Sequence, residues 1–150
     1  MSRAGEGVDV QGVVAVRCAD AAGVGVRLVD RAGPEAGAVR FAVELSAPGL
    51  AARLDGVVGW VGATDGLAAF LAGLADDFRG WEGERDWRTP DRDLTVRAVF
   101  RSGGHVGLTW VLRPWRTAQR GWEASVTTWL EGGEQMAALA ADVGEFVDRG

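Results

Sequence analysis

The sequence predicts an α+β protein: a mostly antiparallel sheet of about seven strands with two helices packed on one face, in the order ββββαβββα. Three observations carry this. Apolar residues recur at every second position through residues 8–60 and again through 94–131, the period of strands with one buried face. Residues 64–79 and 134–150 instead carry apolar residues at helical spacing. The turns between strand segments are short, which favours antiparallel neighbours, and two helices with one apolar stripe each can cover one sheet face. The chain has 150 residues, 47% hydrophobic and 25% charged. That is one globular domain over residues 1–150 rather than a disordered chain, a collagen or a coiled coil.

The first strand segment alternates at Val8, Val10, Val14 and Val16, the second at Val24, Val26 and Leu28, and the third at Val39, Phe41, Val43 and Leu45. A weaker fourth run holds Leu50, Ala52 and Leu54. Turn residues separate them: Ala21-Ala22-Gly23, the stretch around Pro34, and Pro48-Gly49. Arg27, Arg40, Glu44, Arg53 and Asp55 fall on the opposite faces and suit solvent. The first helix is predicted over 64–79, with Thr64 as N-cap, Asp65 in the first turn and Gly80 at the stop. Its stripe is Leu67, Phe70, Leu71, Leu74 and Phe78. Residues 81–93, rich in charge and holding Pro90, read as a loop. Strands resume at Leu94, Val96, Ala98 and Phe100, then at Val106, Leu108, Trp110 and Leu112 after the Ser102-Gly103-Gly104 hairpin signal. The last strand carries Trp122, Ala124, Val126, Thr128 and Leu130. The closing helix carries Met136, Leu139, Ala140, Val143, Phe146 and Val147.

Composition excludes several functions. Lys, Ile, Asn and Tyr are absent and all 16 basic residues are Arg, a pattern of GC-rich coding rather than of chosen guanidinium chemistry. The net charge of −5 lacks the basic footprint of nucleic-acid binding. It favours a basic protein partner, or serves solubility alone. No apolar run approaches the roughly 20 residues of a membrane span, and no leader segment is evident. With Cys18 as the single cysteine, no internal disulfide can form. The chain is expected to be cytoplasmic and soluble.

Catalytic machinery is sparse. Ser46, Ser102 and Ser125 lack a nucleophile-elbow context, and no phosphate loop of the Lys-containing type can exist. Cys18 has no neighbouring base in sequence and reads as a buried structural thiol. The acids Glu82, Glu84, Asp86, Asp91 and Asp93 alternate with Arg85, Arg88 and Arg92, the pattern of a salt-bridged surface rather than a cation loop. No catalytic residue, metal or cofactor is assigned. His105 follows Gly103-Gly104 at a hairpin and is either a turn-adjacent polar residue or, with Arg97 or Arg113, an anion or acid–base site.

The seven tryptophans are the unusual feature. Trp110 and Trp122 fall on apolar strand faces. Trp129 falls on the opposite face with Arg97, Arg101, Arg113, Glu123 and Thr127. If that face is open it is a binding surface of interface hot-spot residues; otherwise the segment carrying Trp115, or the N-terminal strands, folds over it. Trp81 and Trp87 are expected to pin the charged loop to the helix end, helped by Trp–Arg stacking. The candidate surface is therefore Trp81, Arg85, Trp87, Arg97, His105, Arg113 and Trp129.

Several short motifs carry a family resemblance: FRGWEGERDW at 78–87 followed by Leu94, Gly-Gly-His-Val at 103–106, Trp122, and Gly-Gly-Glu-Gln at 132–135. Together they resemble the uncharacterised actinobacterial domain-of-unknown-function family numbered 6228, over roughly residues 8–147. The layout is also similar to that of WapI-type immunity proteins, small cytoplasmic α+β proteins that bind and block a cognate toxin. That resemblance implies a non-enzymatic protein-binding module with a basic toxin domain as partner, and assigns no residues. A small-ligand domain or sparse enzyme around His105, and a homo-oligomeric structural subunit, are the alternatives.

Overall fold

The computed structural model describes residues 12–114 and 121–148; Val8, Val10 and Trp115 lie outside them. The elements run β1 (Val14–Arg17), β2 (Gly25–Glu35), β3 (Ala38–Ala47), β4 (Leu50–Trp60), α1 (Leu67–Asp76), β5 (Glu84–Arg88), β6 (Leu94–Arg101), β7 (His105–Leu112), β8 (Ala124–Glu131) and α2 (Glu134–Asp148). The α+β class and the order of elements follow the alternation. The single sheet of about seven strands does not: there are two four-stranded antiparallel sheets, β1-β2-β3-β4 and β5-β6-β7-β8. The eighth strand is β5, inside the segment expected to be a loop. Its alternation is hidden because the inward positions are Arg85 and Trp87, an amphipathic pair, rather than aliphatic residues. Pro90 lies beyond the strand end, so it does not interrupt the pairing of Glu84 to Arg88 with β6.

The inner faces of both sheets meet in one core. Leu28, Val43 and Leu45 come from the first sheet, and Leu108, Trp110 and Leu112 from the second. Strand β8 packs against β1, β2 and β3. The helices pack on each other, close enough that Ala68 would stand 3.7 Å from a Cβ placed on Gly144. Leu71, Leu74, Met136 and Val143 point from them into the same core. At the far end of α2, Phe146 meets Phe41 of β3 edge-on, with ring centroids 5.5 Å apart.

Local chemistry explains the boundaries. Helix α1 begins later than predicted: its N-cap is Gly66, no side chain caps it, and no acid occupies its first turn. Phe78 lies past the helix and is 52% exposed, so it leaves the apolar stripe. Strand β4 is longer than its sequence period suggests. Phe41 faces Val57 while Val43 faces Leu54, so β4 carries one extra residue there. Gly56 supplies the positive φ of +73° at this bulge. The bulge resets the alternation, which puts both Leu54 and Val57 on the inner side.

Helix α2 opens with a reciprocal cap. The Glu131 carboxylate accepts from the backbone N–H of Gly133 (2.7 Å) and Gln135 (3.2 Å), and Gln135 Oε1 accepts from the N–H of Glu131 (2.7 Å). The Gly133 N–H, then that of Gln135, hold the Glu131 carboxyl below its ordinary 4.5. The ionised form is therefore the one that stabilises the fold. That contribution is present above pH 4.5 and lost as pH falls through the lowered value. Glu131→Gln should lower Tm at neutral pH, with the gap to the wild type closing as pH falls below 4.5. Thermal melts of both proteins across pH check this.

The polar pair inside the core gives a second expectation. Trp110 is fully buried and its Nε1–H donates to Thr128 Oγ1 at 3.0 Å. Thr128→Val keeps the volume and orphans a buried indole N–H, which should destabilise by about 1–3 kcal/mol, whereas Thr128→Ser keeps an acceptor and loses less. Urea unfolding measures both.

Candidate functional site

The candidate residues fall on two surfaces. The first borders α1. Trp81 packs on Phe100 with ring centroids 5.4 Å apart, and the Arg85 guanidinium lies 4.7 Å above the Trp81 ring. Arg85 also bridges Asp77 at the end of α1 at 2.6 Å. Trp87 works at the other end of that helix: its Nε1–H donates to the Asp65 carbonyl at 2.8 Å. Trp81 and Arg85 thus pin this segment to the helix end, with the expected Trp–Arg stacking, while Trp87 pins it to the helix start. These contacts occupy Arg85, the Trp81 ring and the Trp87 N–H in holding the fold.

The second surface is the outer face of the second sheet, and the strand register orders it in rows. Arg101, His105 and Glu131 form one row; Glu84, Val99, Gly107 and Trp129 the next; Asp86, Arg97, Thr109 and Thr127 the third. Gly107 is the reason Trp129 can lie flat. A Cβ at position 107 would stand 2.7 Å from the indole, so only glycine lets the ring cross the strand. Above the ring, the Arg101 guanidinium sits 4.1 Å from the centroid. Arg101 in turn bridges Asp20 of the β1–β2 connection at 3.2 Å. That connection also meets the Trp129 backbone: Ala19 N–H donates to the Trp129 carbonyl at 2.8 Å, and the Trp129 N–H donates to Cys18 Sγ at 3.4 Å. Cys18 is therefore half-buried and tied to the β8 edge rather than sunk in the core.

Among the described residues, the β1–β2 connection rims this face and no strand of the first sheet covers Arg97 or Val99; the segment carrying Trp115 lies outside the described residues. Arg97 is exposed and has no ion pair among the described residues, and Val99 is 37% exposed. The outer face of the first sheet differs. There Arg53 binds Asp30, Asp55 and Glu44, and Glu44 also binds Arg27. The hydrogen bond that Arg53 donates to Asp30, then those it donates to Asp55 and Glu44, push the guanidinium well above its usual range.

The register separates His105 from its proposed partners. Arg97 pairs with Thr109, four positions from His105, or about 13 Å along an extended strand. Arg113 lies beyond the other end of β7, exposed, with its N–H donating to the Asp93 carbonyl at 2.9 Å. His105, Arg97 and Arg113 share a face without forming one site. Arg101, outside the candidate surface, is the residue that completes the Trp129 site. The signal for it was its shared parity with Arg97 and Trp129, together with a lone glycine in an apolar strand.

Residues 17–150 match a family described only as a family of unknown function. The chain belongs to DUF6228. No curated protein and no solved structure matches it. In this DUF6228 member the glycine pairs that carry the resemblance have structural reasons. Gly103 and Gly104 turn the β6–β7 hairpin at positive φ, and Gly132 and Gly133 sit inside the cap of α2. No helix among the described residues is long and apolar enough to cross a membrane.

Gly107→Ala should displace the indole and break the Arg101 stack, destabilising the protein by about 1–3 kcal/mol through overpacking. The Trp129 indole N–H resonance and the urea midpoint report the two effects.

Proposed function

We propose that this protein is a non-enzymatic protein-binding module of the immunity or antitoxin kind, which engages and blocks a cognate protein through the outer face of its second sheet. The observation that carries the reading is the outer face on which Trp129 lies over Gly107 beneath Arg101, beside exposed Val99 and beside Arg97, which has no ion pair among the described residues. Trp and Arg dominate interface hot spots, and a pre-anchored ring loses little freedom when a partner covers it. The chain's −5 charge favours a basic partner and speeds its encounter. A single cysteine suits a reducing compartment, and we place the module in the cytoplasm. The dispersal of His105, Arg97 and Arg113 weighs against a ligand or acid–base site built on His105.

The test is a native pull-down of the tagged protein from its source cells, followed by native mass spectrometry. A stoichiometric basic partner is expected. Arg97→Glu, Val99→Glu and Trp129→Ala should each weaken it about thirtyfold or more, the scale of a hot spot of 2 kcal/mol. Circular dichroism checks that each variant folds. Retention of the partner by all three variants, or recovery of the bare protein, overturns the reading.

A further inference from the structure

A cavity of about 370 Å³ opens away from the Trp129 end of the second sheet, between the end of β4, the start of α1, the end of β5 and the end of α2. Its floor is Phe41, Gly59 and Val147. A Cβ on Gly59 would lie 3.4 Å from the Phe41 ring and 3.7 Å from Val147, so the glycine keeps the floor open. Two indoles line it. Trp60 is 50% exposed, and Trp87 is held in place by its bond to the Asp65 carbonyl. Pro90 adds an apolar wall, fixed by a buried turn in which Thr89 Oγ1 bonds Asp93 and accepts from the Leu94 N–H at 3.1 Å.

The charged lining groups have both signs and do not neutralise one another. Arg88, Asp65 and Asp148 line this cavity, yet no ion pair joins Arg88 to either acid, and Arg88 has no partner among the described residues. Asp148 is oriented by one oxygen, which accepts from the Gly62 N–H at 2.8 Å, and its other oxygen carries no bond from the described residues. A volume at the low end of the roughly 300–1,000 Å³ range of small-molecule sites selects a compound of single-amino-acid size over a nucleotide or longer chain. Indole and phenyl walls select a planar apolar body. Opposite charges left apart across one cavity are each satisfied by an occupant that itself carries both signs.

We propose that this cavity binds a small aromatic zwitterion, of the class of a free aromatic amino acid. Its ring lies against Trp60 and Trp87, its carboxylate meets Arg88, and its ammonium meets Asp148 and Asp65. The site is independent of the protein-binding face, and neither reading requires the other.

The test uses the full chain, labelled with nitrogen-15, and the probes L-phenylalanine, L-tryptophan, 2-phenylethylamine, 3-phenylpropionate and N-acetylphenylalaninamide. Calorimetry gives affinity, and the indole N–H resonances of Trp60 and Trp87 give location. At least one of the two amino acids should bind saturably and move both resonances. Loss of either charge from the phenylalanine skeleton should weaken binding about tenfold, the scale of one charge-assisted contact. Arg88→Ala should erase the advantage of phenylalanine over phenylethylamine, and Asp148→Asn its advantage over phenylpropionate. Trp60→Ala, at an exposed position, should weaken every probe without unfolding the chain. The proposal is overturned if neither amino acid saturates below about 10 mM. Equal binding of all probes overturns it in favour of a cavity without charge recognition. Preference for the capped amide overturns it in favour of a site for a peptide side chain.

Discussion

The apolar contact between the inner faces of the two sheets is the constraint on which the rest of the molecule depends. A four-stranded sheet with one apolar face cannot stand alone in water, and each sheet here is the other's cover. Leu28, Val43 and Leu45 meet Leu108, Trp110 and Leu112 in a single core, and the paired helices close its open side. The indole N–H of Trp110, fully buried in that core, is matched by Thr128 on the neighbouring strand. Burial without a partner would have offset much of what the ring contributes.

With the inner faces committed to the core, the outer faces are free to differ, and their electrostatics part company. On the first sheet the charges answer one another: Arg53 gathers three carboxylates, and Glu44 links it to Arg27. Such a surface presents little unsatisfied chemistry to a partner. On the second sheet Arg101 is spent on Trp129 and Asp20, while Arg97 has no ion pair among the described residues. The partly exposed Trp129 ring, the exposed Val99 and that cation then lie within neighbouring rows of one face. That asymmetry, rather than overall composition, is what favours the outer face of the second sheet in the proposed binding role.

Legibility of the sites followed the same division. Parity along β6 and β8 was enough to put Arg97, Arg101 and Trp129 on one face, because the side-chain period of a strand is two wherever no bulge intervenes. Parity says nothing of distance along the strand, so His105 and Arg113 joined the same candidate surface although the register holds them far apart. The cavity was invisible for another reason. Trp60 follows the bulge at Gly56, where the alternation slips, and its neighbours Trp87, Arg88 and Val147 come from elements distant in sequence. Likewise β5 escaped notice because Arg85 and Trp87, its inward residues, do not register as an aliphatic period.

What the sequence by itself determined is whatever depends on local periodicity and local chemistry. It determined the α+β class, the order of strands and helices apart from β5, the hairpin and helix-opening glycines, the burial of Trp110, and the stacking of arginine on tryptophan. Only the tertiary structure decided that the strands divide into two sheets, that Cys18 is tied to Trp129 at a sheet edge, and that Trp60 and Trp87 face one cavity. Periodicity states which side of a strand is apolar. It does not state which other apolar side will cover it, because that choice is made by packing between elements remote in the chain.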